Sequence, residues 1–325
     1  MIRVTTEPSL ALIKYWGKCD TGINIPATSS IAVSLKGLTT TTEVHTTPKS
    51  PEAAAEDVFI LNGTLQQDPK VTAFLQHARL LYPRLQELQF SFNTGNNFPT
   101  SAGIASSSSG FAALAIALDR AAGLQLSPAQ LSSLARIGSG SASRAVFGGF
   151  TSFPAMSEHA SQLFDHHHWP DLRIVVVMVS TDAKPIGSRG AMERTRITSP
   201  YFEPWVDFCR TLELPACNAV SNRNLAALGP LMRRSYLSMF GSMLAADPAV
   251  VYWLPDSVAV IQKTAAWRSE GLQVWETMDA GPQVKLITTA DDLSQLQDKL
   301  QQDFPHLSLL TASVGSGPVI MESHV

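Results

Sequence analysis

The sequence has few cysteines, little net charge and no long apolar run. Its three cysteines, Cys19, Cys209 and Cys217, are an odd number without C-x-x-C spacing, which argues against a disulfide or zinc framework and for a reducing compartment. A net charge of -3 gives no electrostatic case for nucleic-acid binding, which usually shows a basic stripe. No apolar run approaches a membrane span, and the N-terminus lacks the pattern of a signal peptide. We therefore expect a soluble cytoplasmic protein that binds neither nucleic acid nor membrane.

What the sequence does contain is the composition of a well-packed globular protein. Hydrophobic residues make up 45% of the 325 residues and charged residues 16%, which is unlike a disordered or low-complexity chain. This length is long for one domain and comfortable for two. The chain turns from strand-rich to helix-rich near residues 181–184. We therefore expect one domain over residues 1–182 and a second over residues 183–325.

Hydrophobic periodicity and turn residues predict a chain of mixed helices and strands. Strands are predicted at residues 31–35, 40–45, 58–61, 88–92, 172–180, 273–278, 284–287 and 307–314. Helices are predicted at residues 71–82, 111–123, 128–137 and 291–301, and over most of residues 199–268. Asn62-Gly63 predicts a hairpin turn and Ser127 a helix N-cap. We expect helix boundaries at six prolines, namely Pro200, Pro204, Pro215, Pro230, Pro248 and Pro255.

The most informative segment is residues 96–110, which read NNFPTSAGIASSSSG. Small residues let backbone N–H groups approach an anion, and the positive end of a helix dipole follows directly. The segment has neither the Gly-Lys-Ser/Thr ending of a Walker A loop nor the G-x-G-x-x-G fingerprint. It is either a phosphate-binding loop or a Ser-rich turn before an ordinary helix.

A second segment, residues 14–18, reads KYWGK. Lys14 and Lys18 could hold phosphate oxygens as point charges, and Tyr15 could donate a hydrogen bond from an apolar wall. The alternative is an amphipathic strand end with lysines that reach solvent.

Three further segments carry candidate side chains. Residues 138–144 (GSGSASR) combine the hydroxyls of Ser139 and Ser141 with Arg144, which could clamp a carboxylate or phosphate, or they form a helix–helix turn. Residues 187–192 offer Arg189 as a second anion clamp, although an arginine beside glycine is common in surface loops. Asp279 lies in a turn between two apolar strands, where it could act on a hydroxyl or serve the turn alone.

Three consecutive histidines, His166, His167 and His168, raise the question of a metal site. Consecutive side chains of an extended segment point to opposite faces, and no cysteine or carboxylate pattern completes a set of ligands. We expect a solvated loop.

Taken together, these segments resemble the mevalonate diphosphate decarboxylases of the GHMP kinase superfamily. Six of them occur in the family's order along nearly the whole chain, which is far more specific than any one alone. They read ALIKYWGKCDTGINIP, NNFPTSAGIASSSSGFAALA, GSGSASRAVFGGF, GSRGAMERTRITS, TMDAGP and VGSGP.

The resemblance implies an α+β protein of the GHMP kinase fold. Its N-terminal half would be an α/β unit like domain 2 of ribosomal protein S5, and its C-terminal half would be ferredoxin-like, with the substrate in the cleft between them. The implied reaction is ATP-dependent decarboxylation of (R)-5-diphosphomevalonate to isopentenyl diphosphate, with release of ADP, phosphate and CO2. ATP and Mg²⁺ would be its cofactors.

The resemblance also implies roles for single residues. Asp279 would orient and deprotonate the hydroxyl, and Lys14 would pair with Asp279 and stabilise the transferring phosphoryl group. Arg144 would hold the substrate carboxylate, and Ser107 would assist ATP and Mg²⁺. The substrate would be bound by Tyr15, Lys18, Asn24, Ser139, Ser141, Arg144, Ser188 and Arg189. ATP would be bound by Asn96, Pro99, Ser101, Gly103, Ala105, Ser106, Ser107 and Ser108, with residues 96–103 as a candidate lid.

The chain departs from the family pattern in places that bear on substrate choice. Cys19 stands where many relatives carry a basic residue, Thr28 replaces a usual asparagine, and Gln283 replaces the asparagine that commonly follows Asp-Ala-Gly-Pro. Ser143 and Ala145 also vary the serine loop. None of these changes removes a residue to which we assign chemistry.

Three other functions remain open at the level of sequence. A decarboxylase of 5-phosphomevalonate would need fewer cations, so the presence of both Lys18 and Arg189 favours the diphosphate. A kinase of the 3-hydroxyl of mevalonate or its phosphate would stop before decarboxylation, which the retention of Lys14 and Asp279 disfavours. A catalytically silent binding module would have lost Asp279 or the Ser107 loop. We expect a homodimer, although the sequence itself does not fix the oligomeric state.

Overall fold

Two large β-sheets, each covered by helices, organise this computed structural model, which describes residues 1–20, 22–49, 57–99, 106–182 and 185–322. The strands of this part are β1 (Ile2–Thr6), β2 (Ser9–Ile13), β3 (Lys18–Asp20), β4 (Ile25–Pro26), β5 (Ser30–Lys36), β6 (Thr40–Pro48), β7 (Val58–Leu61), β8 (Thr64–Leu65), β9 (Leu88–Asn96), β10 (Phe150–Phe153), β11 (Ser161–Phe164), β12 (Leu172–Met178), β13 (Trp275–Thr277), β14 (Val284–Thr289), β15 (Ser308–Val314) and β16 (Val319–Glu322).

The helices of the same part connect and cover these strands. They are α1 (Pro69–Leu81), α2 (Ser106–Ala122), α3 (Pro128–Gly138), α4 (Ala142–Ala145), α5 (Ser188–Thr198), α6 (Phe202–Ser221), α7 (Leu225–Leu244), α8 (Pro255–Ser269) and α9 (Leu293–Asp303), with a short 3₁₀ helix at Pro83–Glu87. Ser127 caps α3 in a full capping box with Gln130, so the predicted N-cap is confirmed.

The first sheet has the order β16-β1-β6-β9-β7-β8. Its β7–β8 hairpin turns at Asn62 and Gly63, both with positive φ, as the sequence predicted. The side chains of Val44 and Phe92 from the sheet pack with Phe74 of α1 and Leu114 of α2 in one core. This packing fixes α2, whose N-terminus forms part of the site described below.

The second sheet has the order β11-β10-β5-β15-β12-β14-β13, with β2 also paired to β5. The apolar run of β12 is buried on both faces, as its sequence predicted. Val175 and Val177 face a core shared with α6, α7, α8 and α9, whereas Ile174 and Val176 face a core shared with β2 and β5. The sheet therefore connects strands from both ends of the chain.

Some predictions about helix boundaries are wrong. Pro215 and Pro230 lie inside α6 and α7 rather than at their ends. A proline removes one helical hydrogen bond, but burial of the flanking residues Leu212, Ala216, Leu228 and Met232 favours a continuous helix. The predicted strand at residues 273–278 is shorter in the structure, and residues 187–192, for which no element was predicted, lead into and begin α5.

Within the described ranges, no helix combines the length and the apolar character that crossing a bilayer requires.

Candidate active site

One cavity, of about 210 Å³, lies where β2, α2, the α3–α4 connection, α5 and the turn after β13 converge. Its lining includes five cationic side chains, Lys14, Lys18, Lys70, Arg144 and Arg189, and one carboxylate, Asp279. A cavity with this excess of positive charge, on a chain whose net charge is -3, is suited to a polyanionic ligand.

Asp279 follows β13 and lies between two buried lysines. Its Oδ1 atom is 3.0 Å from Lys14 Nζ and its Oδ2 atom is 3.3 Å from Lys285 Nζ. Burial alone would raise the pKa of Asp279, but the two ammonium groups outweigh that effect and lower the pKa well below its usual range. Asp279 is therefore ionised at neutral pH.

Lys14 comes directly after β2, and its side chain is 1% exposed. Its Nζ also donates to the Ala11 carbonyl at 2.6 Å. Burial lowers the pKa of Lys14 to about 8, although Asp279 opposes that shift. Lys14 is thus a buried partner of Asp279 rather than a lysine that reaches solvent from a strand end.

Arg144 lies in α4 with its side chain buried. Its guanidinium donates to the hydroxyls of Ser30, at 2.6 Å, and Ser9, at 3.5 Å, and lies over the Tyr15 ring. Burial lowers its pKa to about 10. In the described part of the chain no carboxylate forms an ion pair with Arg144, so its charge is available to an anionic ligand.

Lys18 and Asn24 form one unit at the edge of the cavity. Lys18 Nζ donates to Asn24 Oδ1 at 2.6 Å, and Asn24 Nδ2 donates to the carbonyls of Arg136 and Ile137, each at 2.8 Å. Burial lowers the pKa of Lys18 to about 8. Asn24, predicted to bind substrate, does not line the cavity. Its amide is occupied, so we assign it to holding Lys18 in place.

Tyr15 lines the cavity and has an unused hydroxyl. Its oxygen is buried and has no hydrogen-bond partner among the described residues, and burial raises its pKa. Gly140, on the α3–α4 connection, passes so close that an added Cβ would overlap this hydroxyl. A buried donor without a partner is costly, which favours a ligand that accepts its hydrogen bond.

Serine hydroxyls line the wall between α2 and α4. Ser139 Oγ lies 3.3 Å from Ser107 Oγ and 3.2 Å from Ser141 Oγ. Ser108, expected to contact ATP, is instead fully buried, and its hydroxyl donates to the Ser141 carbonyl at 3.0 Å. One residue along a helix turns a side chain by about 100°, so Ser107 faces the cavity and Ser108 the interior.

The N-terminus of α5 brings two more predicted residues to the cavity. Ser188 is the first residue of α5 and Arg189 the second, and both line the cavity. Arg189 donates to the Gly138 carbonyl at 3.3 Å, which links α5 to the end of α3.

A second cavity adjoins the first. It is lined by Asn96 and Ser106 among others, and the two cavities share Lys70, Ser107 and Phe111. Pro99 is exposed. Ser101, Gly103 and Ala105 lie outside the described residues, as does the second half of the candidate lid at residues 96–103.

Two site residues were missed by the sequence analysis. Lys70, at the start of α1, lines both cavities, and Lys285, in β14, contacts Asp279. A lysine inside the apolar strand V-K-L-I was the available signal for Lys285, because a buried charge needs a partner. Lys70 gave a weaker signal, a cation in the first turn of a helix, where the helix dipole disfavours positive charge.

Two of the side chains that depart from the family pattern accept hydrogen bonds from backbone amides. Thr28 Oγ1 accepts from the Trp16 amide at 3.2 Å, and Gln283 Oε1 accepts from the Val179 amide at 2.5 Å. Both side chains are buried, and neither lines the cavity. Cys19 is exposed.

The histidine run is not wholly the solvated loop that we expected. His167 is exposed, but the His168 ring stacks on Phe164 with centroids 3.9 Å apart, and its Nε2 lies 2.9 Å from the Val220 carbonyl oxygen.

The fold is the GHMP kinase fold of the mevalonate diphosphate decarboxylases, as comparison with solved structures establishes. A structure of mevalonate diphosphate decarboxylase from Staphylococcus aureus is 32% identical to this chain, with 99% of each chain covered and a TM-score of 0.91. A structure of MDDEF in complex with MVAPP, AMPPCP and magnesium is 33% identical, with the same coverage and TM-score.

Sequence comparison identifies the family. Residues 6–163 match the diphosphomevalonate decarboxylase-like N-terminal domain, and residues 174–321 match the mevalonate 5-diphosphate decarboxylase C-terminal domain. Diphosphomevalonate decarboxylase from Candida albicans is 30% identical over 94% of this chain and 88% of its own length. The enzyme from Eremothecium gossypii is 33% identical over 90% of this chain and 79% of its own length. The chain belongs to the diphosphomevalonate decarboxylase family.

Proposed function

We propose that this protein catalyses the ATP-dependent decarboxylation of (R)-5-diphosphomevalonate to isopentenyl diphosphate, with release of ADP, phosphate and CO2. The observation that carries the proposal is the pair Lys14–Asp279, 3.0 Å apart, in the same cavity as the buried Arg144. The substrate has a hydroxyl, a carboxylate and a diphosphate, and the cavity offers separate groups for each of them.

The diphosphate would be held at the end of the cavity formed by β3, α5 and the α3–α4 connection. Lys18 and Arg189 supply two cations there, and Tyr15, Ser139 and Ser141 supply hydroxyl donors. The unpartnered hydroxyl of Tyr15 gains an acceptor when a phosphate oxygen arrives. Two cations at this end favour a diphosphate over a single phosphate.

The tertiary hydroxyl would lie beside Asp279. Because this carboxylate is ionised and fixed by the lysines, it orients the hydroxyl by accepting its hydrogen bond and takes its proton during transfer. Lys14 lines the cavity and neutralises charge that develops on the transferring phosphoryl group. Phosphoryl transfer depends mainly on such positioning and charge neutralisation.

The substrate carboxylate would be held by Arg144. Its guanidinium has only hydroxyl acceptors among the described residues, so a carboxylate can take the remaining donors. Holding the carboxylate ionised until phosphate has left with the electrons of its C–O bond lets the C–C bond to the carboxylate break. The electron pair of that bond then forms the new double bond as CO2 departs.

The residues around the second cavity fit ATP and Mg²⁺. ATP supplies the phosphoryl group that converts the hydroxyl to a leaving group, and Mg²⁺ neutralises charge on the phosphates. Ser106, Ser107 and Asn96 offer polar atoms, and Lys70 offers a cation at the junction of the two cavities. We assign the Mg²⁺ contact to the Ser107 hydroxyl, which lies at that junction.

We also propose that the chain divides into two domains at residues 182/183, that it forms a homodimer and that it is cytoplasmic. The matches to residues 6–163 and 174–321 support a division into two halves. The free cysteines Cys19, Cys209 and Cys217 support a reducing compartment. The exposed apolar side chains of Leu80 and Leu81, at the end of α1, support a surface covered by a second copy, which sedimentation of the purified protein would test.

The experiment that tests the function is product analysis with ATP, Mg²⁺ and three separate acids: mevalonate, 5-phosphomevalonate and 5-diphosphomevalonate. We expect isopentenyl diphosphate and CO2 from the last alone. Release of ADP without CO2 would make the protein a 3-hydroxyl kinase. Isopentenyl monophosphate would make it the monophosphate decarboxylase.

A further inference from the structure

Lys285 is a buried lysine whose charge lies against the candidate catalytic carboxylate. It belongs to β14, is 1% exposed, and places its Nζ 3.3 Å from Asp279 Oδ2. Lys14 engages the other oxygen, Oδ1, at 3.0 Å. Each oxygen of Asp279 therefore has an ammonium group of its own.

The two lysines differ in what else they reach. Lys14 lines the cavity, so its amine faces both Asp279 and the space for the ligand. Lys285 is not among the described residues that line the cavity, and it reaches the site through Asp279. It also lies on a rigid element, because β14 pairs with β12 on one side and with β13 on the other.

This asymmetry matters when a phosphoryl group enters. Lys14 cannot neutralise a phosphoryl group fully while it also serves as the sole counter-ion of Asp279. A half-buried carboxylate such as Asp279, 23% exposed, takes up a proton more readily once it loses its only cation. With Lys285 in place, Lys14 can turn to the phosphoryl group while Asp279 keeps a counter-ion.

We propose that Lys285 is a positioning residue that keeps Asp279 oriented and ionised while Lys14 changes its partner from Asp279 to the transferring phosphoryl group. The inference deepens the proposed function and rests on it. Three cations act on Asp279, namely Lys14, Lys285 from β14 and Arg144 from α4. Removal of Lys285 leaves two, so the pKa of Asp279 rises.

The test compares Lys285→Met with Lys285→Arg in the full-length protein. Lys285→Met should lower kcat by ~100-fold, as expected when a reacting group is misplaced, with little change in either KM. The acidic limb of its pH profile for kcat/KM should move to higher pH, because Asp279 protonates more readily. Lys285→Arg should restore most of kcat and the position of the limb.

The matched control is Lys263→Met, which removes a lysine paired with Asp303 at 3.1 Å, away from the cavity. It makes the same change of charge and should leave both kcat and the pH profile unchanged. The positioning role would be wrong if Lys285→Met kept the wild-type kcat. It would also be wrong if Lys285→Arg lost as much kcat as Lys285→Met while the acidic limb of its kcat/KM profile stayed at the wild-type pH.

A second measurement separates this inference from the proposed function, because it needs no turnover. The free energies of unfolding of wild type, Lys285→Met, Asp279→Asn and the double variant form a double-mutant cycle. We expect clear non-additivity, with Lys285→Met changing stability differently once Asp279 is neutral. Additive effects would show that the two side chains are not coupled, whatever reaction the protein catalyses.

Discussion

At the scale of single residues, the site is a set of buried and half-buried charges whose partners are incomplete until a ligand arrives. Asp279 has two lysines, but Arg144 has only hydroxyl partners and Tyr15 has none among the described residues. Burying such groups costs free energy that the folded core must offset. The arrangement is accordingly explained by binding and catalysis rather than by stability.

Asp279→Asn should retain ATP binding and lose turnover. The amide has nearly the shape of the carboxylate but can neither accept a proton nor carry charge, so we expect kcat to fall by about 10²–10⁴-fold. Nucleotide titration and steady-state kinetics measure the two effects separately. Asp303→Asn, which alters an ion pair away from the cavity, is the control. Normal turnover in Asp279→Asn would remove Asp279 from its catalytic role.

The pH dependence of substrate capture should have a basic limb near pH 8. Lys14 and Lys18 both have pKa values of about 8, so each carries its charge below that pH and loses it above. With two titrating groups, log kcat/KM should fall with a slope of about -2 per pH unit at high pH. In Lys18→Arg, whose guanidinium stays charged, the slope should become about -1. An unchanged slope would mean that Lys18 does not control capture.

At the scale of elements, the α3–α4 connection is held at both of its ends. It carries Ser139 and Ser141, and Gly140 leaves space for the Tyr15 hydroxyl. The capping box at Ser127 fixes the start of α3, and the burial of Arg144 fixes α4. A short connection between two fixed elements places the hydroxyls without help from a ligand.

Gly140→Ala should weaken binding of the diphosphate substrate. The added methyl group overlaps the Tyr15 hydroxyl, so the ring must move and one donor to the diphosphate is lost. We expect the KM for that substrate to rise by about tenfold with kcat less affected, since a hydrogen bond to a charged group is worth about 1.5–3 kcal/mol. Gly241→Ala in α7 is the control, because no atom lies within 4 Å of its added Cβ. Equal kinetics in both variants would contradict this assignment of Tyr15.

At the scale of the whole molecule, the chain concentrates positive charge in one cleft while its net charge is negative. Among the described residues, five cations and one carboxylate line the cavity, whereas the net charge of the chain is -3. Mutual repulsion among those cations opposes folding until an anion neutralises them. Ligand binding and global stability should therefore be coupled.

Inorganic pyrophosphate should raise the melting temperature, and more so than inorganic phosphate. A ligand at 100 times its Kd stabilises the native state by about 2.7 kcal/mol.

Arg189→Ala should reduce the shift in melting temperature and raise the substrate KM while leaving kcat nearly unchanged, as expected for a group that binds ground and transition states alike. Calorimetry and kinetics measure both effects. Equal shifts with phosphate and pyrophosphate would favour a monophosphate substrate, and a change in ATP affinity alone would assign Arg189 to the nucleotide.

The sequence by itself determined the local features and the family. The Asn62-Gly63 hairpin, the Ser127 cap and the doubly buried β12 all follow from short-range rules that act within a few residues. Six motifs in order were enough to place the chain in its family, because their joint occurrence is improbable in unrelated proteins. They also placed Lys14 and Asp279 in one predicted pair.

Only the tertiary structure decided which side chains share an environment. Lys14 and Asp279 are 265 positions apart, and Lys285 completes their group from a strand that no motif marks. Asn24 contacts carbonyls more than 100 positions away and does not line the cavity, and a single helical step turns Ser107 to the cavity and Ser108 away from it. Burial and charge pairing depend on distances across the folded chain, and sequence spacing does not encode those distances.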